Sequence, residues 1–285
     1  MLDLFKAISL VGIAIGSYTD IKTLEVPDYI NYSLVAFGLG GNLIYTLIEN
    51  NPTYILRSVL GLIAALIFGF AMYYTGQWGG GDSKMLFGLG ALLGISYPFQ
   101  LDFFLIFLIN LIFAGAAYGL LWIIFMGVKY RKKLKPKLKK YMKQYSKTRF
   151  ISSIIVLICL IVLFVVKIDP YFKMIASLLF LSIYVMNYLM IVVKSVEDVA
   201  MIKYIDPEKL TEGDWIVDPI YVNNKLITGP KDLGIKKEQI SQLLKFKKQG
   251  KINKIKVKYG IPFVPSFLIA FILTLILNKV IFLPI

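Results

Sequence analysis

The sequence contains no histidine and only one cysteine. Without histidine, the chain cannot build a zinc protease of the HExxH type or a Ser-His or Cys-His catalytic pair. Cys159 lies inside an apolar run, and a single thiol forms neither an internal disulfide nor a cysteine metal cluster. We interpret Cys159 as a small buried apolar residue. Hydrolytic chemistry would then depend on Asp, Glu, Ser, Thr, Tyr or Lys, and we predict no metal site and no cofactor.

Acidic residues are also scarce, with 17 Asp and Glu against 32 Lys and Arg, whereas 58% of the residues are hydrophobic. Roughly 20 apolar residues in a helix cross a bilayer, so we predict a polytopic α-helical membrane protein with six to eight spans. The eight apolar segments are 4–19, 29–48, 54–75, 84–98, 102–128, 150–168, 171–193 and 262–284. The first has no clear cleavage site and is interpreted as a retained helix. The fourth is short, and would be tilted, re-entrant or in a thinned bilayer.

Lys and Arg are concentrated in two connections, with eleven in 129–149 and fourteen in 194–260. Cytoplasmic loops of membrane proteins are rich in these residues, so we place both connections in the cytoplasm. Alternation of the spans then places 20–28 and 76–83 on the same side. Basic residues that set the orientation of the chain in the membrane and attract anionic lipid explain the net charge of +15. We therefore predict no nucleic-acid partner. The 129–149 loop lacks a clear apolar face and contains Pro136, which indicates a solvated, lipid-facing linker.

Residues 194–260 predict a small cytoplasmic α+β domain. It would lie between a membrane-embedded catalytic part, 1–193, and a final transmembrane helix, 261–285. "EGDWIVDPIYVNNKLITG" indicates two short strands with a turn at Asn223 and Asn224. "KKEQISQLLKFKKQG" indicates an amphipathic helix, and "KINKIKVKYG" a strand after it. No catalytic spacing is recognisable within this domain.

Asp20 lies at the cytoplasmic end of the first apolar segment, within "GSYTDIKTLEVPDYINY". Acidic residues beside spans are costly and therefore invite a functional hypothesis. Pro27 predicts a helix start, with Asp28 in the first turn of that helix. Taken alone, Asp20 could equally be a solvated helix end.

Asp82 lies on the same predicted side, directly after Gly79, Gly80 and Gly81. Because these three glycines have no side chains, other backbone, another helix or a ligand can approach this segment closely. An extended substrate strand could lie along this bare backbone. Taken alone, Asp82 could also be an N-cap that accepts hydrogen bonds from backbone N–H groups.

"GGGDSK" resembles the GxGD motif of membrane aspartic proteases, and "MLFGLGALLG" resembles its continuation in type IV prepilin peptidases. The spacing from Asp20 to Pro27 and Asp28 is similar to the first-aspartate motif of that family. "GIPFVPSFLIAF" (260–271) and "LTEGDWI" resemble the late segments of archaeal prepilin and preflagellin (prearchaellin) peptidases. Bacterial members typically carry a cytoplasmic zinc-binding loop with four cysteines, and they also methylate the new amino terminus. This chain has one cysteine and cannot build that loop.

The resemblance implies an aspartic-type endopeptidase that removes the short basic leader from type IV pilin-like or archaellin precursors. Asp20 and Asp82 would be the catalytic pair, because two close carboxylates share a proton and activate a water. The site would lie at the cytoplasmic face of the cell membrane. Lys84 would either lower the pKa of a nearby carboxyl group or anchor its helix at lipid headgroups. Pro262 and Pro265 would either leave backbone groups free for substrate or form an ordinary helix start.

Two other function classes compete with this hypothesis. A serine–lysine signal peptidase would pair Ser17 or Ser83 with Lys22 or Lys84, but nothing in the sequence supports that geometry. An ion-coupled transporter or channel could use Asp20 and Asp82 to relay ions. It predicts inverted repeats or carboxylates at mid-span, and neither is visible.

Overall fold

The apolar segments of the sequence form helices in the structure, a computed structural model that describes residues 2–232 and 234–281. The α-helices in these residues are α1 (Leu2–Thr23), α2 (Asp28–Ile48), α3 (Thr53–Tyr74), α4 (Gly80–Leu93), α5 (Phe103–Lys129), α6 (Arg131–Gln144), α7 (Ser146–Val165), α8 (Pro170–Val196), α9 (Lys237–Lys248) and α10 (Val264–Leu277). Each predicted apolar segment contains an α-helix, but residues 94–98, 166–168 and 278–281 of these segments lie beyond the ends of α4, α7 and α10. Residues 282–284 of the last predicted segment lie outside the described residues.

Five of these helices are long and apolar enough to cross a membrane. They are Asp3–Thr23, Thr53–Tyr74, Phe103–Lys129, Ser146–Val165 and Pro170–Met201, by a search of the described residues. α2 has 21 residues and is not among them, and α4 and α10 have 14 residues each. At about 1.5 Å per residue, a 14-residue helix is about 21 Å long, which is short for a bilayer core. The structure therefore confirms a mostly helical, multi-span architecture but not the number of spans.

α4 packs against α1, α2 and α3 through glycines that let backbones approach each other. A Cβ atom added at Gly61 on α3 would lie 2.2 Å from the carbonyl oxygen of Gly90 on α4. A Cβ atom at Gly38 on α2 would lie 2.6 Å from the carbonyl carbon of Ala91. Side chains at these positions would force the helices apart, so the glycines set the depth to which α4 sinks between its neighbours.

The chain divides into two compact units, the first comprising residues up to Leu121 and from Tyr204 onward, the second Trp122–Lys203. In the second unit α7 and α6 both pack against α8. The sequence predicts a solvated, lipid-facing linker over 129–149; in the structure this connection is not a simple loop, because α6 occupies 14 of its residues and contains Pro136. Half-buried Leu134, Leu138 and Tyr141 follow helical spacing along α6. Asp198 accepts hydrogen bonds from Lys137 Nζ (2.8 Å) and Tyr141 Oη (2.9 Å).

The strands lie in the region predicted to be α+β. They are β1 (Ile202–Ile205), β2 (Trp215–Ile216), β3 (Ile220–Val222), β4 (Lys225–Thr228) and β5 (Ile255–Lys258). β3 and β4 form the predicted hairpin, with Asn223 and Asn224 at positive φ in its turn. The other strands form a sheet in the order β1-β5-β2. The predicted helix is α9, and Leu243 from α9 is buried with residues of β2 and β5.

The last helix, α10, packs against α1. Near its C-terminal end, buried Asn110 of α5 makes three hydrogen bonds. Its Nδ2 donates to Thr274 Oγ1 (3.0 Å) and to the Lys279 carbonyl (3.1 Å), and its Oδ1 accepts from Ile281 N (3.0 Å). Asn110 thus holds a side chain in the last turn of α10 and two backbone groups just beyond that turn.

We expect Gly61→Ala to destabilise the protein, because the added methyl group meets the Gly90 carbonyl of α4. Overpacking of this kind costs roughly 1–3 kcal/mol. Gly40→Ala on α2 is the matched control, since nothing lies within 4 Å of a Cβ atom there. Alanine favours a helix over glycine by roughly 0.5–1 kcal/mol, so Gly40→Ala should be neutral or stabilising. Unfolding free energies in detergent would measure both, and equal values would contradict the close α3–α4 contact.

Candidate active site

Asp20 lies on α1 one turn before the helix ends, and only 5% of its surface is exposed. Its Oδ2 accepts a hydrogen bond from the backbone N–H of Val264 at 2.8 Å. Val264 is the first residue of α10, where backbone N–H groups have no partner within the helix. Asp20 therefore caps the start of α10, and is not the solvated helix end that the sequence left open.

Asp82 is the third residue of α4 and is half-buried. Its Oδ2 accepts a hydrogen bond from the backbone N–H of Gly79 at 2.9 Å. Gly79 is the residue that precedes α4, so this bond is one half of a capping box, and Gly79 has no side chain to form the other half. Asp82 is therefore not the N-cap residue that the sequence left open, because that position belongs to Gly79, but its side chain does bind a backbone N–H at the start of α4. This bond uses one oxygen of the carboxyl group.

The ends of α1, α4 and α10 that carry these groups lie together. A Cβ atom at Gly16, one turn before Asp20, would lie 2.4 Å from Met85 Cε and 3.5 Å from Val264 Cγ1. Met85 follows Asp82 by three residues, so α4 reaches α1 at the level of both aspartates. The two carboxyl groups interact electrostatically. The geometry therefore brings together the two aspartates that the sequence singled out.

Two of the three glycines before Asp82 belong to the helix that carries it. Gly79 has extended backbone angles, whereas Gly80 and Gly81 form the first turn of α4. A Cβ atom at Gly81 would lie 3.4 Å from Val26, in the connection between α1 and α2. The missing side chains thus allow this connection to contact the start of α4, while Gly79 and Gly80 remain exposed.

Lys84 pairs with Asp28, the acidic residue of the Pro27-Asp28 motif. Its Nζ lies 2.6 Å from Asp28 Oδ1 and 5.7 Å from the centre of the Tyr32 ring. Asp28 is in the first turn of α2, as the sequence predicts. The ion pair joins the start of α4 to the start of α2, 56 residues apart in sequence.

Pro262 and Pro265 flank the point where α10 begins, and Pro265 lies in its first turn. Proline is tolerated there because the first N–H groups of a helix lack intrahelical partners. The N–H of Val264, between the two prolines, is directed to Asp20. In this structure the backbone group near the prolines therefore contacts a candidate catalytic carboxyl group.

Three neighbours of the aspartates were not singled out from the sequence. Val264 contributes only its backbone, which no side-chain motif reports. Trp78 is 5% exposed, and its ring centre lies 5.8 Å from that of Phe263 and 5.2 Å from that of Phe267. Tyr118 on α5 interacts electrostatically with Asp20. Of these three residues, only Trp78 was recognisable from the sequence, because a tryptophan inside a glycine-rich loop is unusual.

The serine–lysine alternative is not assembled among these residues. Ser83 Oγ donates to the Gly69 carbonyl at 3.0 Å, and Lys84 is paired with Asp28. Lys22 Nζ donates to the Tyr18 hydroxyl, while the Ser17 hydroxyl is buried without a partner. Neither lysine is thus placed to activate either serine.

Comparison with known sequences confirms the resemblance for part of the chain. Residues 7–120 match the Type IV leader peptidase family, Peptidase_A24. The chain is 38% identical to the preflagellin peptidase of Methanocaldococcus jannaschii over 86 residues. These residues make up 30% of this chain and 36% of that protein. It is 38% identical to the preflagellin peptidase of Methanococcus voltae over 93 residues. These residues make up 33% of this chain and 39% of that protein.

The preflagellin peptidase of Methanococcus maripaludis is 35% identical over 86 residues, 30% of this chain and 37% of that protein. The aligned parts thus cover little more than a third of the length of each relative. Asp20 and Asp82 lie within the residues that match the family, whereas α10 and the strands lie outside them. No solved structure matches the chain.

We expect the Lys84–Asp28 pair to contribute little to stability, because both side chains are partly exposed, at 35% and 56%. A double-mutant cycle of Lys84→Met and Asp28→Asn should give a coupling free energy of roughly 0.2–1 kcal/mol, falling at high salt. A second cycle, with Glu25→Gln in place of Asp28→Asn, is the control and should give none. A larger coupling that salt does not reduce would contradict a screened surface pair.

Proposed function

We propose that this chain is a membrane aspartic endopeptidase that removes the short basic leader from type IV pilin-like or archaellin precursors. The observation that carries the proposal is the meeting of Asp20 and Asp82, which interact electrostatically and both lie inside the family match. The names of the similar proteins, preflagellin peptidases, support the substrate class. We assign Asp20 and Asp82 as the catalytic pair.

The proposed reaction uses the two carboxyl groups with one shared proton. The ionised carboxylate takes a proton from a water molecule, which attacks the scissile carbonyl. The protonated carboxyl group donates to the developing oxyanion and then to the leaving amine. Both aspartates face the N-terminal end of a helix, Asp20 that of α10 and Asp82 that of α4. The partial positive charge at these ends stabilises the single negative charge of the pair.

The substrate would approach from the side of Gly79 and Gly80. Both glycines are exposed and adjoin half-buried Asp82, whereas Asp20 is covered. A precursor with a basic leader and an apolar helix would present its cleavage site where the helix leaves the bilayer. The bare backbone before α4 leaves room for that segment. We assign Gly79, Gly80 and Gly81 to substrate and backbone positioning.

We assign Pro262 and Pro265 to backbone positioning, because the Val264 N–H that lies between them binds Asp20. Lys84 would act indirectly, because its contact with Asp28 orients α4 and hence Asp82. No carboxylate, cysteine and histidine cluster suited to a metal ion is found in the part of the chain that the structure describes. The proposed steps need no metal ion or cofactor.

We expect Asp20→Asn and Asp82→Asn each to reduce cleavage of a tagged precursor by at least the 10²- to 10⁴-fold typical of lost acid–base catalysis. Asparagine keeps an oxygen that can accept the Val264 or Gly79 N–H, so both variants should fold. Glu49→Gln, which changes an exposed carboxylate at the end of α2, is the control and should cleave normally. Cleavage by both asparagine variants would refute the aspartate pair. If wild type cleaves no precursor, ion flux through the protein would test the transporter alternative.

We expect the α3–α4 connection to face the cytoplasm and the α2–α3 connection to face outward. The reason is that 129–149 and 194–260, rich in Lys and Arg, are expected in the cytoplasm, and alternation of the predicted spans places the α3–α4 connection on the same side. In a Cys159→Ser background, a membrane-impermeant thiol reagent should label Glu49→Cys in intact cells. It should label Gln77→Cys only after permeabilisation; both positions are exposed. The reverse pattern would place the proposed site on the outer face.

A further inference from the structure

The small α+β region contacts the loop that leads to Asp82. Trp215 on β2 covers Gly76, where a Cβ atom would lie 3.3 Å from Trp215 Cη2 and 3.8 Å from Cζ3. Gly76 has φ +70° and donates its N–H to the Tyr73 carbonyl at 2.9 Å, which ends α3. Asp82 follows Gly76 by six residues. Trp215 thus packs on the turn that determines where α4 begins.

The strand paired with β2 leads to the hydrogen-bond partner of Asp20. β2 and β5 are antiparallel, and Trp215 lies opposite Lys258. Val264 follows Lys258 by six residues, and its N–H donates a hydrogen bond to Asp20. One pair of strands is therefore linked to both aspartates, because β2 contacts the loop before Asp82 and β5 leads into the helix whose first N–H binds Asp20.

The two strands are held together firmly enough to transmit a position. Ile216 of β2 and Ile255 and Val257 of β5 are buried together with Leu243 of α9. Val217 N also donates to the Lys256 carbonyl at 3.1 Å, which extends the ladder beyond the paired residues. A packed core of this kind resists shear between its strands.

We propose that the β2–β5 strand pair is a positioning element that sets the placement of Asp82 relative to Asp20. Trp215 is a positioning residue in this proposal, because it acts through Gly76 and touches neither carboxyl group. The inference rests on the proposed function for its kinetic test, but its structural test does not. It gives residues 204–263 a role in the site although they lie outside the residues that match the peptidase family.

The first experiment removes the contact between β2 and the loop. Trp215→Ala should lower kcat on a precursor by about 10- to 100-fold, the loss expected when a reacting group is misplaced by about 1 Å, and leave KM unchanged. Trp215→Phe keeps an aromatic ring and should restore part of kcat. Tyr221→Ala, a 62% exposed aromatic on β3, is the control and should behave as wild type. A rise in KM with unchanged kcat would overturn the proposal, because it would make Trp215 a substrate contact.

The second experiment lengthens the other connection without touching the core of the domain. Two glycines inserted after Gly260, where nothing lies within 4 Å of a Cβ atom, should loosen the link between β5 and α10. The insertion should lower kcat as Trp215→Ala does. The same two glycines inserted between Asn223 and Asn224 in the β3–β4 turn are the control. Folded insertion and alanine variants that both keep full kcat would overturn the proposal.

A third measurement decides the matter without any substrate. Nitroxide labels at Lys22→Cys and Gln77→Cys, in a Cys159→Ser background, report the distance between the end of α1 and the Asp82 loop. Trp215→Ala should broaden or shift the distance distribution, whereas Tyr221→Ala should not. An unchanged distribution would overturn the positioning role. If wild type cleaves no precursor, the proposed function fails, and this measurement still decides the positioning inference.

Discussion

The hydrogen bond from the Val264 N–H to Asp20 is the constraint around which this site is arranged. It joins residues 244 positions apart and is buried between α1 and α10. A buried carboxyl group or helix N–H without a partner costs about 1–3 kcal/mol or more, so the two groups favour one relative placement of these helices. Once α10 begins beside Asp20, Phe263 and Phe267 lie against Trp78, and Trp78 fixes the loop before Asp82.

Glycine supplies the other half of the arrangement, because a second carboxyl group must come close to Asp20. Gly16 allows Met85 to reach α1, and Gly61 allows the backbone of α3 to contact that of α4. Helices in an apolar medium gain stability mainly from such close packing, since burial away from lipid contributes little. The glycines therefore do more than free the backbone near Asp82. They bring α4 to the depth at which its third residue meets the end of α1.

Much of this could be predicted from local sequence. The apolar runs give the helices, Pro27 gives the start of α2, and Asn223 with Asn224 gives the hairpin turn. The resemblance of the segments around Asp20 and Asp82 to motifs of a peptidase family singles out both aspartates from the sequence alone. The pairing of Lys84 with Asp28 and the contact of Val264 with Asp20 could not be predicted in the same way, because each depends on packing between distant segments. The helix α6 was missed because its basic composition and Pro136 concealed the spacing of Leu134, Leu138 and Tyr141.

α10 is short, yet polar bonds hold it at both ends. Asp20 accepts from its first N–H, and Asn110 bonds to Thr274 and to the backbone just beyond its last turn. Helix ends usually fray, and their amide hydrogens exchange with solvent long before those of the centre. At the start of α10 the Val264 amide can exchange only after its hydrogen bond to Asp20 breaks. Amide exchange near Val264 would then report opening of the site itself.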